Sequence, residues 1–222
     1  MKLFADTASI QEIEKLLSLG VVQGVTTNPS LLSKEPKADF HQHIQKIADL
    51  CKDHNLSVPL SVEVFAIDPK KMIDQAKEIF EKIDYENLNI KIPVGFDELH
   101  TIHELSNLGI PVNCTCCFTE TQMQLAALSG ARYVSLFYNR LRDAGGDPLE
   151  ALKRTRNFID SQMLPCEIIA GSIRNPYDIA DAWSAGSHIV TAGFSVIEKA
   201  TLHNKTDESI QGFLNDFEAW IK

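Results

Sequence analysis

The sequence predicts a closed α/β barrel, a (β/α)₈ TIM barrel spanning residues 1–222 as a single domain with one extra C-terminal helix. Three observations predict it. Short apolar or β-branched runs recur eight times, amphipathic stretches separate them, and no Pro- or Ser-rich linker divides the chain. The runs are "KLFAD", "GVTTN", "LSVEVF", "LNIKIPV", "PVNCTCCF", "YVSLF", "CEIIAGS" and "HIVTAG", in that order. Between them, Pro69 to Lys82, Asp97 to Leu108, Thr119 to Ser129 and Pro148 to Gln162 repeat apolar residues at helical spacing. Asp68 and Thr119 stand where N-caps belong, and Gly20, Gly109, Gly130 and Gly186 where helices end. The competing architecture is a doubly wound open sheet. It calls for a Gly-rich phosphate loop after an early strand, and no "GxGxxG" occurs. Eight units in 222 residues allow about 28 residues each, compact but sufficient for the barrel. A last helix, residues 207–221, carries an apolar stripe of Ile210, Phe213, Leu214, Phe217 and Trp220 that must be buried on its own barrel or on a neighbouring subunit.

Composition narrows the function classes. With 44% hydrophobic and 23% charged residues the chain reads as a water-soluble globular protein with a sizeable core. Its net charge of −9 and the lack of any basic run exclude nucleic acid and anionic membrane as partners. No apolar run of eighteen residues occurs, and the N-terminal segment lacks a signal peptide's apolar core, so a cytoplasmic location is expected. The five cysteines fit that compartment. Cys114, Cys116 and Cys117 crowd one strand, where alternating faces prevent a closed metal site, so buried free thiols are expected. His100 and His103, one helical turn apart, read as a solvated helix face. No metal is expected.

The functional signal is positional. Polar residues gather within or at the C-terminal ends of the apolar runs: Asp6; Thr26, Thr27 and Asn28; Glu63; Lys91; Asn113 and Thr115; Ser135 with Arg140; Ser172 with Arg174. In a barrel those ends form one face, the face that carries active sites. Each residue has a duller reading alone, Asp6 as a helix cap and Glu63 as a solvated edge position. In a closed barrel surrounded by helices, though, neither strand face meets water, so the buried carboxylates and Lys91 must find one another.

Such a set suits one chemistry. A lysine attacks a ketone as the free amine, and lowering its reference pKa of about 10.4 by some three units corresponds to roughly 4 kcal/mol. Desolvation by Ile90, Ile92 and the barrel wall is the expected source. The resulting iminium draws electrons from the adjacent C–C bond, while Asp6 or Glu63 moves a proton on the substrate hydroxyl. Arg140 and Arg174, with Ser135 and Ser172, can grip a terminal anion. The reading is a Schiff-base aldol enzyme acting on an anionic sugar, with no metal or organic cofactor because the lysine itself is the electron sink. A non-catalytic sugar-phosphate sensor is the competing class, and it has no use for a buried nucleophile.

The segments "FADTA", "GVTTNPSLL", "IKIP", "GARYVSLFYNRL" and "AGSIRNP" resemble, in order and over nearly the whole chain, the transaldolase family, in particular its short branch that includes fructose-6-phosphate aldolases. The resemblance implies a (β/α)₈ barrel with Lys91 as the Schiff-base lysine and Asp6 as the acid/base at the C4 hydroxyl. It further implies Glu63 and Thr115 as holders of a catalytic water, and Asn28 and Asn113 as binders of the dihydroxyacetone portion. Ser135, Arg140, Ser172 and Arg174 match the phosphate end. Thr26 and Phe137 are expected to line the same site. The implied partners are a sugar phosphate or related anionic sugar and further copies of the chain, as a pentamer or decamer with the C-terminal helix reaching a neighbour. The aldolase pattern resembles a Gln at position 63 and a Tyr at position 137; Glu63 and Phe137 here fall on the transaldolase side. The chain departs from the common "TLIF" and "SPFVGRLDD" with "TCCF" and "SLFYNRLRD". Tyr138, Asn139 and Arg142, expected in a loop, suggest an altered anion end that accepts a sulfonated ketose such as 6-deoxy-6-sulfofructose, since a sulfonate carries less charge than a phosphate dianion, offers no proton and calls for rearranged donors.

Overall fold

The computed structural model describes residues 1–54 and 58–221. Eight strands close into an all-parallel barrel in chain order: β1 (Lys2–Asp6), β2 (Val25–Thr26), β3 (Leu60–Glu63), β4 (Leu88–Pro93), β5 (Val112–Cys117), β6 (Tyr133–Phe137), β7 (Glu167–Gly171) and β8 (Ile189–Ala192), with β8 pairing back to β1. The helices are α1 (Ile10–Ser18), α2 (Pro29–Leu32), α3 (Phe40–His54), α4 (Pro69–Lys82), α5 (Glu98–Asn107), α6 (Glu120–Leu128), α7 (Tyr138–Asp143), α8 (Pro148–Ser161), α9 (Pro176–Ser184), α10 (Phe194–Lys199) and α11 (Asn204–Trp220). The predicted barrel is therefore the observed one.

Local chemistry sets the boundaries. Asp68 accepts from the Lys71 N–H and Thr119 from that of Gln122, the latter in a full capping box, so α4 and α6 start where the caps were expected. Gly20, Gly109, Gly130 and Gly186 all take positive φ at helix ends. β2 is shorter than "GVTTN" suggested, because Asn28 leaves the strand to cap α2. Residues 138–143, expected as loop, form α7 directly after β6.

Alternation along each strand builds two layers of core. Outward residues such as Val62, Ile90, Ile92, Val134 and Leu136 are fully buried against the helices. Inward, Phe4, Tyr133, Ile169 and Ile189 form a separate apolar cluster. Each lies two residues before a polar-layer position on its strand (Asp6, Ser135, Gly171 and Thr191), so the cluster floors the layer above it. Phe4 and Tyr133 meet edge to face at 6.5 Å. Gly24 makes room for that ring, since a Cβ there would come within 2.5 Å of the Phe4 ring carbons.

Register then levels the polar residues. Asp6 pairs with Thr26, Glu63 with Lys91, and Lys91 with Asn113. Elsewhere, His100 and His103 are exposed on α5, near Glu104 and Asn107 respectively. Cys51, Cys114, Cys117 and Cys166 are buried free thiols, whereas Cys116 is only partly covered. No helix among the described residues is long and apolar enough to cross a membrane.

Candidate active site

A cavity of about 240 Å³ opens at the C-terminal ends of the strands. Eleven of the twelve residues expected there line it: Asp6, Thr26, Asn28, Glu63, Lys91, Asn113, Thr115, Ser135, Phe137, Arg140 and Ser172. A larger crevice of about 570 Å³ lies at the opposite end of the barrel, near Lys2, Gln23, Arg132 and Tyr133. Among the described residues no carboxylate lines it, and the convergent polar layer is in the smaller cavity.

Lys91, 6% exposed, is held at both sides of its ammonium. Its Nζ lies 3.1 Å from Glu63 Oε2 and donates to the Thr27 carbonyl at 2.8 Å. The carboxylate and lysine do find each other, as closure of the barrel required. The apolar surroundings expected from Ile90 and Ile92 are corrected here. Strand alternation turns both to the outer face, and what faces the amine is Glu63 and a backbone carbonyl.

Asp6 has no ion-pair partner within 4 Å among the described residues; Thr26 Oγ1 donates to its Oδ1 at 2.9 Å. Burial raises its pKa above the ordinary carboxylate value. Lys91 and the Thr26 hydroxyl offset part of the shift, and Glu63 adds to it. A carboxyl with a raised pKa beside a lysine is a chemically useful neighbour, able to exchange a proton nearer neutral pH.

Asn113 is clamped across the barrel, donating to Ser61 Oγ at 3.1 Å and accepting from Ser135 Oγ at 2.7 Å. Ser135 thus sits deep, as a support for Asn113, although it was expected at the anion end. Asn28 Oδ1 is spent on capping α2, which leaves its amide nitrogen to donate. Thr115 Oγ1 is buried with no hydrogen-bond partner among the described residues and faces the cavity, a place for a water or a substrate oxygen. A register shift between Cys114 and Cys117 and a φ of 60° at Cys116 bend β5 beside it. Phe137 packs edge to face on Phe118 and carries the Arg140 guanidinium 4.6 Å from its ring centroid.

Arg174 is the residue the structure does not bring in. Its guanidinium makes a two-point contact with Asp143 at 2.5 and 3.0 Å on the exposed rim. Tyr138, Asn139 and Arg142 are also re-assigned. Tyr138 and Asn139 are buried in α7, outside the cavity lining. Asn139 donates to the Ser172 carbonyl at 2.9 Å and to Asp178 Oδ2 at 2.7 Å; Arg142 donates to Asp178 Oδ1 at 3.0 Å and to the Tyr138 hydroxyl. These residues hold the loop after β7, where Ser172 adopts a left-handed φ of 60° that needs such support. None of the three lines the cavity itself.

Sequence reasoning missed that network's centre, Asp178, and the cavity residues Pro29, Ser30, Cys116, Gly171 and Thr191. Thr191 was legible as a polar residue within an apolar run; Asp178 sits in a helix's first turn, where a carboxylate looks ordinary. Burial disfavours the Asp178 charge. The Asn139 amide, the Arg174 and Asn175 N–H groups and Arg142 outweigh it and hold its pKa below the usual range. Its ionised form therefore adds stability at neutral pH, lost as pH falls through the lowered folded-state value. Asp178→Asn sets an amide against those donors and is expected to cost about 1–3 kcal/mol in urea unfolding at pH 7. The gap to the parent should narrow below about pH 4.

A family model described as Transaldolase/Fructose-6-phosphate aldolase matches residues 3–221. A probable transaldolase of Shouchella clausii (strain KSM-K16) is 40% identical over 217 residues, covering 98% of this chain and 97% of that protein. Another, from Methanococcus vannielii, is 38% identical over 222 residues and covers 100% of both. A solved chain from a cube-shaped, highly porous protein cage designed by fusing symmetric oligomeric domains gives a TM-score of 0.61 at 15% identity, covering 99% of this chain and 78% of that one. That likeness speaks for the fold alone.

Proposed function

This chain belongs to the transaldolase/fructose-6-phosphate aldolase family, and from that premise we propose that it transfers a dihydroxyacetone unit from a ketose phosphate such as fructose 6-phosphate to an aldehyde acceptor, through a Schiff base on Lys91. The observation that carries the reading is the buried Lys91–Glu63 contact in one cavity with a desolvated Asp6. A proton passing from Nζ to Glu63 frees the amine, which attacks the C2 carbonyl. The carbinolamine loses water to an iminium; we assign the holding of that water to Glu63 and to the Thr115 hydroxyl, which has no hydrogen-bond partner among the described residues. Asp6 then takes the C4 hydroxyl proton, the C3–C4 bond breaks into the iminium, and an aldehyde leaves an enamine behind. Attack of the enamine on the acceptor aldehyde reverses these steps, with Asp6 returning the proton and water releasing Lys91.

Asn28 and Asn113 are assigned to the hydroxyls of the three-carbon unit, and Arg140 with Ser172 to the phosphate. Phe137 supports transfer over release of free dihydroxyacetone. A ring without a hydroxyl organises no water near the iminium, so the enamine waits for an acceptor. Asn139 and Arg142 are engaged on Asp178, and Tyr138 accepts from Arg142, so none of the three is assigned to the substrate anion, and phosphate is taken as that anion. Catalysis in the cytoplasm follows from the same reading.

Every residue of the α11 stripe is more than half exposed: Ile210, Phe213, Leu214, Phe217 and Trp220. We assign that face to a neighbouring copy in a pentamer or decamer, and sedimentation as a monomer at micromolar concentration would refute it.

Borohydride reduction in the presence of fructose 6-phosphate tests the reaction. A dihydroxyacetone adduct on the Lys91 peptide is expected, and an unmodified Lys91 in protein that still turns over the sugar would overturn the mechanism.

A further inference from the structure

Thr191 ends the polar layer on β8, 5% exposed at the cavity wall, and the reaction as proposed leaves it without a role. Its Oγ1 lies 2.6 Å from Thr26 Oγ1, and Thr26 Oγ1 in turn lies 2.9 Å from Asp6 Oδ1. Apart from Thr26, the Thr191 hydroxyl has no hydrogen-bond partner among the described residues. The two threonines stand on the strands at either side of β1, since β8 and β2 both pair with it. The three side chains therefore form a short row of oxygens ending on Asp6.

A hydroxyl carries one proton, and Thr26 must place it on Asp6 or on Thr191; the alternative acceptor, the Ala5 carbonyl, is 3.5 Å away. An ionised Asp6 only accepts, so Thr26 donates to it and Thr191 donates to Thr26. A protonated Asp6 donates to Thr26, which turns its own proton onto Thr191. Each arrangement keeps Asp6 Oδ1 hydrogen-bonded; in the second the Thr191 proton turns away from the row, on the side that lines the cavity, and the change between them needs only hydroxyl rotations.

Building on the assignment of Asp6 as the acid/base, we propose that Thr191 is a positioning residue that acts on Asp6 through Thr26, forming with it a reversible hydroxyl relay that satisfies Asp6 in both of its protonation states. Thr191 touches no reacting atom in this scheme. Its donated bond polarises the Thr26 hydroxyl and strengthens the bond to the carboxylate. The charged groups that bear on Asp6 from other elements are Lys91 on β4, Glu63 on β3 and Arg140 on α7, and Thr191 contacts none of them within hydrogen-bond distance.

The test compares the pH dependence of kcat/KM for fructose 6-phosphate in the parent, Thr191→Val and Thr191→Ser, with Asp6→Asn alongside. Val keeps the shape and removes the hydroxyl; Ser keeps the hydroxyl. In Thr191→Val the ionised state loses the bond that polarises Thr26, whereas in the neutral state the Thr26 proton can turn to the Ala5 carbonyl, so the acidic limb should move up by roughly half a pH unit, with kcat lowered more than KM is raised. Thr191→Ser should restore the parent limb. A limb that stays in place in Thr191→Val, or one that Thr191→Ser fails to restore, overturns the relay. Thr191→Ala replaces the Val variant if that one does not fold, with the same expected shift. Full activity in Asp6→Asn would overturn the assignment of Asp6 itself, which separates the two failures.

Discussion

Lys91→Met is expected to lose turnover by on the order of 10⁴-fold or more and to give no borohydride adduct with fructose 6-phosphate. Met matches the length of the lysine stem and removes only the nucleophile, so the cavity keeps its wall. The same substitution strands Glu63, whose carboxylate then has no cation within salt-bridge distance among the described residues, in a site where its side chain is 16% exposed. Removing one partner of a buried pair costs about 3–5 kcal/mol. Lys91→Met should therefore unfold at lower urea as well as being inactive. Adding Glu63→Gln removes the stranded charge, and the double variant should recover most of the stability and none of the activity. Recovery of activity, or an adduct at another lysine, would place the nucleophile elsewhere. Parent-like stability in Lys91→Met would show that the ion pair is solvated.

Asp6→Asn is expected to slow C–C cleavage by about 10²–10⁴-fold while leaving adduct formation on Lys91 in place. The amide still accepts the Thr26 hydroxyl through its oxygen, so the fold around β1 is kept, but it takes no proton from the C4 hydroxyl. Quenched samples should accumulate the intact six-carbon adduct, which the parent cleaves to the three-carbon one. Stability should change in the opposite sense from activity. Burial raises the folded-state pKa of Asp6, so its contribution is present at low pH, where the carboxyl is neutral, and is lost as pH rises through the folded value. At pH 7 the ionised side chain is then a cost, and Asp6→Asn should unfold at higher temperature than the parent. The difference should shrink as pH falls through the ordinary carboxylate range. Rapid cleavage in the variant would remove Asp6 from the reaction, and a lower melting temperature would show that the Lys91 charge outweighs burial.

The barrel was legible because its two periods are local. An apolar run of five residues followed by a capped amphipathic stretch is written in neighbouring residues, and eight repeats leave closure as the consistent solution. The polar layer was legible for a related reason. A Lys between Ile90 and Ile92, or an Asp ending "KLFAD", conflicts with its surroundings unless it serves a site. The anion end was not legible in the same way. Arg140 and Arg174 look alike in sequence, yet one stacks over Phe137 at the cavity and the other is matched by Asp143 on the rim. Ser135 reads in sequence as an anion ligand, and in the structure its hydroxyl lines the cavity and donates to Asn113.

By itself, then, the sequence determined the strand and helix order, the caps and the strand ends at which the polar residues gather, and it suggested the chemistry proposed for them. Only the tertiary structure decided which charges meet. It paired Lys91 with Glu63 and left Asp6 to Thr26 and Thr191. It also drew Asn139 and Arg142 onto Asp178, 39 and 36 positions along the chain. The physical reason is range. Periodicity and capping act within about one turn or one strand, whereas a hydrogen bond or an ion pair is chosen by distances of about 3 Å between segments that meet only when the barrel closes.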